Sequence, residues 1–315
     1  MNSTVDGLVI RGSRNVFTVS VENSLLLECR IKGKVLKNAE GFYNPIAPGD
    51  RVTVETDLKN PGTGMIISLQ ERKNFFSRHN QKGNCTQLLA SNIDLVLCLT
   101  TYLSPPFRPR FLDRVLLQAD FAGIPSCIVC NKIDLECDNL DVVERIEDFK
   151  NIGYTVIETS AKTGEGIEEL RRFISGKYSV LVGHSGVGKS SLINSLLPGI
   201  NIKIGNINQK YDRGNHTTVL ASLIEIESGA ANTKIIDTPG LRRFIPDISS
   251  ADEIILYMKE FAPLAGKCSY GLSCSHRIEP GCKIMEAVHA GIIHEDRYTS
   301  FLRIHDEISG KNNVD

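Results

Sequence analysis

Two kinds of hydrophobic pattern divide the chain. Over residues 1–72, short runs rich in β-formers are cut by turn residues, at 7–11, 15–19, 24–31, 51–54 and 65–69. Runs of that length, bounded by Gly, Ser, Pro and Asn, read as strands. Five of them in so short a stretch predict a small antiparallel barrel of the OB type. From residue 93 the pattern changes. Near-continuous apolar runs at 93–99, 126–130, 178–182 and 234–236 alternate with segments of helical spacing, such as Phe111, Leu112, Val115, Leu116 and Ala119. Buried strands alternating with amphipathic helices predict an α/β, doubly wound sheet with right-handed crossovers. Residues 73–92, with Lys73, Arg78, Lys82 and Gly83 and few apolar side chains, read as a linker. Near the end, Tyr298, Phe301, Leu302, Ile304 and Ile308 share one helical face, expected to be core.

The strand at 178–182 runs into Gly183, His184, Ser185, Gly186, Val187, Gly188, Lys189 and Ser190, and then into the helical run that opens with Ser191. That is G-x-x-x-x-G-K-[ST] with a strand before it and a helix after it, the context a phosphate loop requires. Glycines let backbone N–H groups converge on an anion, and the helix N-terminus adds partial positive charge. Lys189 is placed to reach the β- and γ-phosphates of a nucleotide, and the Ser190 hydroxyl to sit on Mg²⁺. The strand at 234–236 ends in Asp237, Thr238, Pro239 and Gly240, a D-x-x-G that senses magnesium and the γ-phosphate. The strand at 126–130 ends in Asn131, Lys132, Ile133 and Asp134. In N-K-x-D the carboxylate of Asp134 can accept from both N1–H and the 2-amino group of guanine. Adenine lacks those donors and would leave it unpaired. Ser160, Ala161 and Lys162 follow as the S-A-K element, whose backbone N–H meets the guanine O6. Singly N-K-x-D is weak, but together with the phosphate loop and D-x-x-G the four elements spell a GTPase.

Their order is unusual. N-K-x-D and S-A-K precede the phosphate loop, whereas in common GTPases they follow it, so the chain is circularly permuted. The site is unchanged in space if the old termini lie close together, here closed by a joint at 173–177. Between the phosphate loop and D-x-x-G, residues 201–218 are polar and suit a switch loop. Thr217 and Thr218 both fit the threonine that joins the magnesium shell, and Thr218 is taken with Ser190 as the magnesium pair. Leu241 follows Gly240 where many GTPases carry the glutamine that orients the attacking water. An apolar side chain cannot do that, so intrinsic hydrolysis is expected to be slow. His216 is the catalytic candidate, and a solvated loop histidine is the alternative.

Cys268, Cys274, His276 and Cys282 are spaced C-x5-C-x-H-x5-C, three thiolates and an imidazole suited to one structural Zn²⁺. The other cysteines include Cys98, Cys127 and Cys130 on apolar strands, where a free thiol packs as a small hydrophobe. The net charge of −1 carries no polybasic signature. No apolar run approaches membrane-spanning length, and no secretory leader opens the chain, so a cytoplasmic protein without membrane contact is expected. RNA-binding candidates in the barrel are Arg11, Arg14, Arg30, Lys32, Lys34 and Lys37, with Phe17, Phe42 and Tyr43 as stacking partners; a solvated charged face over core aromatics is the alternative, and the residues favour it slightly.

The barrel-like N-terminus, the permuted motif order and the cysteine–histidine segment together resemble the small-ribosomal-subunit biogenesis GTPases, the RsgA/YjeQ family. The resemblance covers essentially the whole chain. Its most specific residues are 183–194, 214–218, 237–242 and the cysteine–histidine set. It implies an OB-fold barrel over 1–72, a linker over 73–92, a circularly permuted GTPase domain over 93–245 and a zinc-binding, helical C-terminal domain over 246–315. It also implies GTP/GDP, Mg²⁺ and one structural Zn²⁺ as cofactors, with hydrolysis stimulated by the small ribosomal subunit. Late maturation of that subunit, contact with its rRNA and action as a monomer complete the expectation. Two positions depart from the family pattern: His184, where glutamine or proline is frequent, and Val219, in place of a third threonine. The main alternative is an RNA-binding module whose nucleotide pocket is passive, and intact Lys189, Ser190 and Asp237 argue against it. A P-loop ATPase conflicts with Asn131 and Asp134.

Overall fold

A computed structural model describes residues 3–13, 15–33, 41–57, 59–197, 221–228 and 231–310 of the 315-residue chain. It opens with β1 (Thr4–Ser13), β2 (Val16–Ser20), β3 (Leu26–Ile31), β4 (Arg51–Thr56) and β5 (Thr63–Leu69). They pair in the order β1-β2-β3-β5-β4, and β1 also pairs with β4, so the sheet closes on itself. Closure removes the free edges that a five-stranded sheet would otherwise expose. Strict alternation drives it. Phe17 and Val19 on β2 and Leu27 and Cys29 on β3 point inward with Val9, Val52, Val54 and Ile66. Phe17, a candidate for base stacking, is therefore core at 2 % exposure, whereas Tyr43 lies on the surface. Lys32 is paired with Glu55, and Arg14, Lys34 and Lys37 fall outside the described residues.

Residues 73–92, expected as a linker, hold a hairpin of β6 (Phe75–Asn80) and β7 (Cys85–Ser91). Phe76, Leu89 and Ala90 are buried in the core of the domain that follows. A two-stranded sheet with one packed face needs few apolar residues, which is why composition pointed to a linker. Ser77 and Thr86 also donate to the carboxylate of Asp247, at 2.8 and 3.1 Å, so the hairpin clamps a segment far along the chain.

Strand and helix then alternate: β8 (Leu95–Thr101), α1 (Pro109–Phe121), β9 (Ser126–Asn131), α2 (Leu140–Asn151), β10 (Thr155–Thr159), α3 (Ile167–Ile174), β11 (Tyr178–Gly183), α4 (Lys189–Leu196), β12 (Ser222–Ser228) and β13 (Ala231–Asp237). The sheet order is β10-β9-β8-β11-β13-β12, parallel except for β12. β8 is buried at every position, as a central parallel strand covered on both faces must be. One face packs Val96, Cys98 and Ile128 under α1 and α2; the other packs Leu97, Leu99 and Leu181 under α3 and α4. The joint of the permutation is short, since α3 ends at Ile174 and β11 begins at Tyr178. β1 meets β12 at Arg11 and Ser222, so barrel and sheet are hydrogen-bonded edge to edge.

Beyond β13 the chain runs irregularly to α5 (Ile254–Tyr257), α6 (Lys283–His289) and α7 (Glu295–Ile308). Their core joins Ile254, Phe261, Ile284, Phe301 and Ile304 to Leu117 of α1. A buried ion network crosses the same boundary. Arg297 of α7, 1 % exposed, donates to Asp113 of α1 at 2.8 Å and through two nitrogens to Glu260 at 2.5 and 2.9 Å. Arg145 of α2 donates to the same Asp113 oxygen at 3.0 Å.

Candidate active site

The four loops that carry the motifs leave the sheet at its carboxyl edge, where an open α/β sheet binds its ligands. The phosphate loop connects β11 to α4. Its turn needs backbone angles that only glycine adopts freely, with Gly186 at φ 86° and Gly188 at φ 94°. A Cβ on Gly188 would stand 2.5 Å from the amide nitrogen of Asn131. That amide instead donates to the Val187 carbonyl at 3.0 Å, while the Asn131 oxygen accepts from Ala161 N–H at 3.1 Å. One side chain thus pins the N-K-x-D and S-A-K loops to the phosphate loop. Lys132, itself in the left-handed region at φ 65°, adds a second tie by donating to the Gly186 carbonyl at 2.9 Å.

Asp134 sits beside this frame. Ser160 Oγ donates to it at 2.6 Å and Lys162 lies 3.4 Å from its other oxygen. The Ser160 hydrogen bond, followed by the bond and charge of Lys162, holds the carboxyl below the usual range, so it stays ionised and able to accept.

Lys189, first residue of α4, folds back and donates to the carbonyls of Gly183 and His184 at 3.0 and 3.4 Å. Burial lowers its pKa, and the charge of Asp237 opposes that shift. Asp237 ends β13. Burial pushes its carboxyl up to about 6, with Lys189 pulling the other way. Its Oδ1 is sealed from solvent with no hydrogen-bond partner among the described residues. An orphaned carboxylate oxygen at the end of the strand next to the phosphate loop is the donor a hard divalent cation takes, and a serine hydroxyl at 190 fits the same shell. Gly240 lies against the loop so closely that a Cβ would stand 3.0 Å from Ser185 Cα. D-x-x-G and phosphate loop are therefore in direct backbone contact. Leu241 is 5 % exposed and packs into the core, in no position to hold water. His216, Thr217 and Thr218 lie outside the described residues.

His184 ties the phosphate loop to the start of α1. Its Nε2 is 2.6 Å from an Arg108 nitrogen, which makes Nε2 the acceptor, and its ring meets Phe111 edge-on at 5.9 Å. Nothing in the spacing of the motifs pointed to Arg108. The only cue in the chain is that it directly precedes Pro109 at the start of α1, where a helix begins.

In the C-terminal segment, Cys268, Cys274, His276 and Cys282 are all buried and present ligand atoms within 4.8 Å of one another. His276 Nδ1 lies 3.6 Å from Cys268 Sγ and 3.5 Å from Cys282 Sγ. Three thiols and an imidazole converging in a buried pocket fit a closed tetrahedral metal shell. The loop is preset for it. Glu279 accepts from the backbone N–H of Ser275, Arg277 and Ile278, and Tyr298 donates to the His276 carbonyl at 2.6 Å.

Residues 69–245 match the RsgA GTPase family. The chain is 35 % identical, over 97 % of its own length and 98 % of the relative's, to a Bacteroides thetaiotaomicron protein named small ribosomal subunit biogenesis GTPase RsgA 2. The chain belongs to the RsgA GTPase family. A Borreliella afzelii relative, named small ribosomal subunit biogenesis GTPase RsgA, is 36 % identical over 97 % of each chain. Among solved structures, YjeQ from Thermotoga maritima superposes with a TM-score of 0.71 at 31 % identity, covering 98 % of this chain and 99 % of that one. YloQ, described as a circularly permuted GTPase, gives 0.66 at 22 % identity over 99 % and 98 % and shares the fold. The family is one of GTPases, and the barrel, permuted domain and Cys3His cluster all accord with it. Among the described residues no helix is long and apolar enough to cross a membrane.

Proposed function

We propose that this protein hydrolyses GTP to GDP and phosphate on the small ribosomal subunit during late maturation in the cytoplasm, as a monomer, with the subunit stimulating the reaction. The convergence of all four nucleotide motifs on one frame carries the reading, with Asp134 held ionised at one end and Asp237 Oδ1 buried without a hydrogen-bond partner among the described residues at the other. The names of the full-length relatives supply the subunit. In this reading Asp134 accepts from guanine and Ala161 N–H shifts from the Asn131 oxygen to O6, while the Asn131 amide and Lys132, both on phosphate-loop carbonyls, hold the loops in register. Backbone N–H groups of residues 185–190 wrap the phosphates, and Lys189 leaves its two carbonyls to donate to them. Ser190, Asp237 and a switch threonine, Thr217 or Thr218, would hold Mg²⁺, which neutralises phosphate charge when bound. Gly240 reports the γ-phosphate through its contact with Ser185. His216 is the candidate to orient water, since Leu241 cannot. The test is multiple-turnover hydrolysis with purified subunits: small subunits should accelerate it and large subunits should not. Equal rates with either, or with none, would overturn the proposal.

Asp134→Asn should weaken GTP binding and admit xanthosine nucleotides, because an amide donor matches the xanthine 2-carbonyl where the carboxylate matched an amine. A competition assay that still prefers GTP as strongly as wild type would remove Asp134 from the base site.

The Cys3His cluster is assigned one structural Zn²⁺. Metal analysis should find one equivalent per chain, lost in Cys274→Ala with Cys282→Ala. Chelation should unfold the segment around residues 266–294 and leave nucleotide binding largely intact, since metal affinity is folding energy there. Zinc that survives the double substitution would refute the ligand set.

A further inference from the structure

We infer that the arginine-lined cavity between α1 and the segment after Gly240 is a docking site for backbone phosphates of RNA. The cavity has a volume of about 400 Å³ and is walled by Arg108, Arg110 and Arg114 on one side and Arg242 and Arg243 on the other. Asp296, at the start of α7, closes the third side. None of these residues belongs to the nucleotide frame.

Charge decides what the cavity takes. Glu307 is shared by Arg114 and Arg243, each at 2.5 Å, and Asp296 meets Arg110 only at 3.4 Å while also facing Arg145 at 3.7 Å. Arg108 has a ring nitrogen of His184 as its partner, and Arg242 has none among the described residues. Five guanidinium groups thus line one concavity with the single carboxylate of Asp296, and Glu307, which is not part of the lining, balances at most one more, although the whole chain is net −1. Such a surplus costs self-repulsion unless an anion completes it. Arg108, Arg110, Arg242 and Arg243 are exposed, so a polymer can reach them. Guanidinium forks match phosphate oxygens in pairs, and several forks on two elements suit a phosphodiester chain better than a single carboxylate.

Position gives the site its consequence. One wall follows Gly240 directly and another touches the phosphate loop through Arg108 and His184, so an occupant lies against both the D-x-x-G and the phosphate-loop segments. By linkage, RNA bound here and the nucleotide that favours this wall must strengthen each other by one factor. The identity of the RNA as that of the small subunit rests on the proposed function; the chemistry of the cavity does not.

The experiment measures binding of the full chain to deproteinised small-subunit RNA over a salt series. Arg110→Ala with Arg242→Ala should weaken binding about tenfold or more near 0.1 M salt and make the log–log salt slope shallower by about 1.5 to 2, the signature of two lost phosphate contacts. GTP affinity should stay at the wild-type value, and the corresponding lysine pair should recover most of the slope. Unchanged affinity and slope would overturn the site. So would displacement of the RNA by polyglutamate as readily as by unlabelled RNA, an outcome that assigns the cavity to acidic protein. If wild type binds small and large subunits alike, the subunit reading fails, while the slope difference on free RNA still decides the cavity.

Discussion

Lys189→Ala is expected to abolish measurable turnover, lowering kcat at saturating GTP by at least about 10²- to 10³-fold, the scale of one lost electrostatic contact in a transition state. The structure shows what the substitution removes. Lys189 is the cation paired electrostatically with Asp237, at the first position of α4. Its ammonium already points into the loop, onto the Gly183 and His184 carbonyls, so little reorganisation is needed to transfer it to a phosphate. Lys132, the other nearby ammonium, is committed to the carbonyls of Ser104 and Gly186. Removing Lys189 also leaves Asp237 buried without its counter-charge, so its carboxyl should rise further above the value of about 6 it has beside the lysine. Single-turnover hydrolysis of radiolabelled GTP checks the expectation, with guanine preference retained as evidence of an intact Asp134 end. A wild-type rate at saturating GTP would place hydrolysis elsewhere.

Arg297→Ala should destabilise the protein by about 3–5 kcal/mol, the cost of removing one partner from a buried ion pair. Asp113 is fully buried and its Oδ2 has no hydrogen-bond partner among the described residues, so its charge depends on Arg297 and Arg145. Glu260 has both oxygens on Arg297. The substitution strands two carboxylates and opens a void beside Phe149, over which the guanidinium lies at 5.7 Å. Because the network joins α1, α2 and α7, the loss should appear as early unfolding of the C-terminal segment. Urea unfolding followed by proteolysis of that segment measures it, with zinc content as a control for the separate metal loop. A loss below about 1 kcal/mol, typical of an exposed pair, would show that the network is not what holds the two parts together.

The motifs were legible because each is a local pattern whose chemistry is complete within a few residues. Gly188 precedes Lys189 whatever the fold around it, and Asn131, Lys132 and Asp134 lie within four positions of a strand end. The permutation was equally legible, being a statement of order alone. The cysteine–histidine set closes over a short stretch, and the period-2 runs of the barrel and the buried runs of the sheet carry their own length and periodicity. Where the reading failed, burial depended on a distant partner. The hairpin at 75–91 looked polar because half of it faces outward, and only the core it joins makes Phe76 and Ala90 apolar anchors. For Phe17 the residues left base stacking and barrel core both open, and closure of the barrel puts it inside. The ion network carried no local signal, since Arg297 stands 184 positions from Asp113.

What the residues by themselves determined, then, is the chemistry each loop can offer and the order in which the chain presents it. What only the tertiary structure decided is which groups are deprived of water. Burial leaves Asp237 Oδ1 without a hydrogen-bond partner among the described residues, sets Arg297 between two carboxylates, and gathers five arginines from two distant segments around one cavity. Desolvation and convergence of charge are properties of the packed chain, because both are set by neighbours that sequence separation hides.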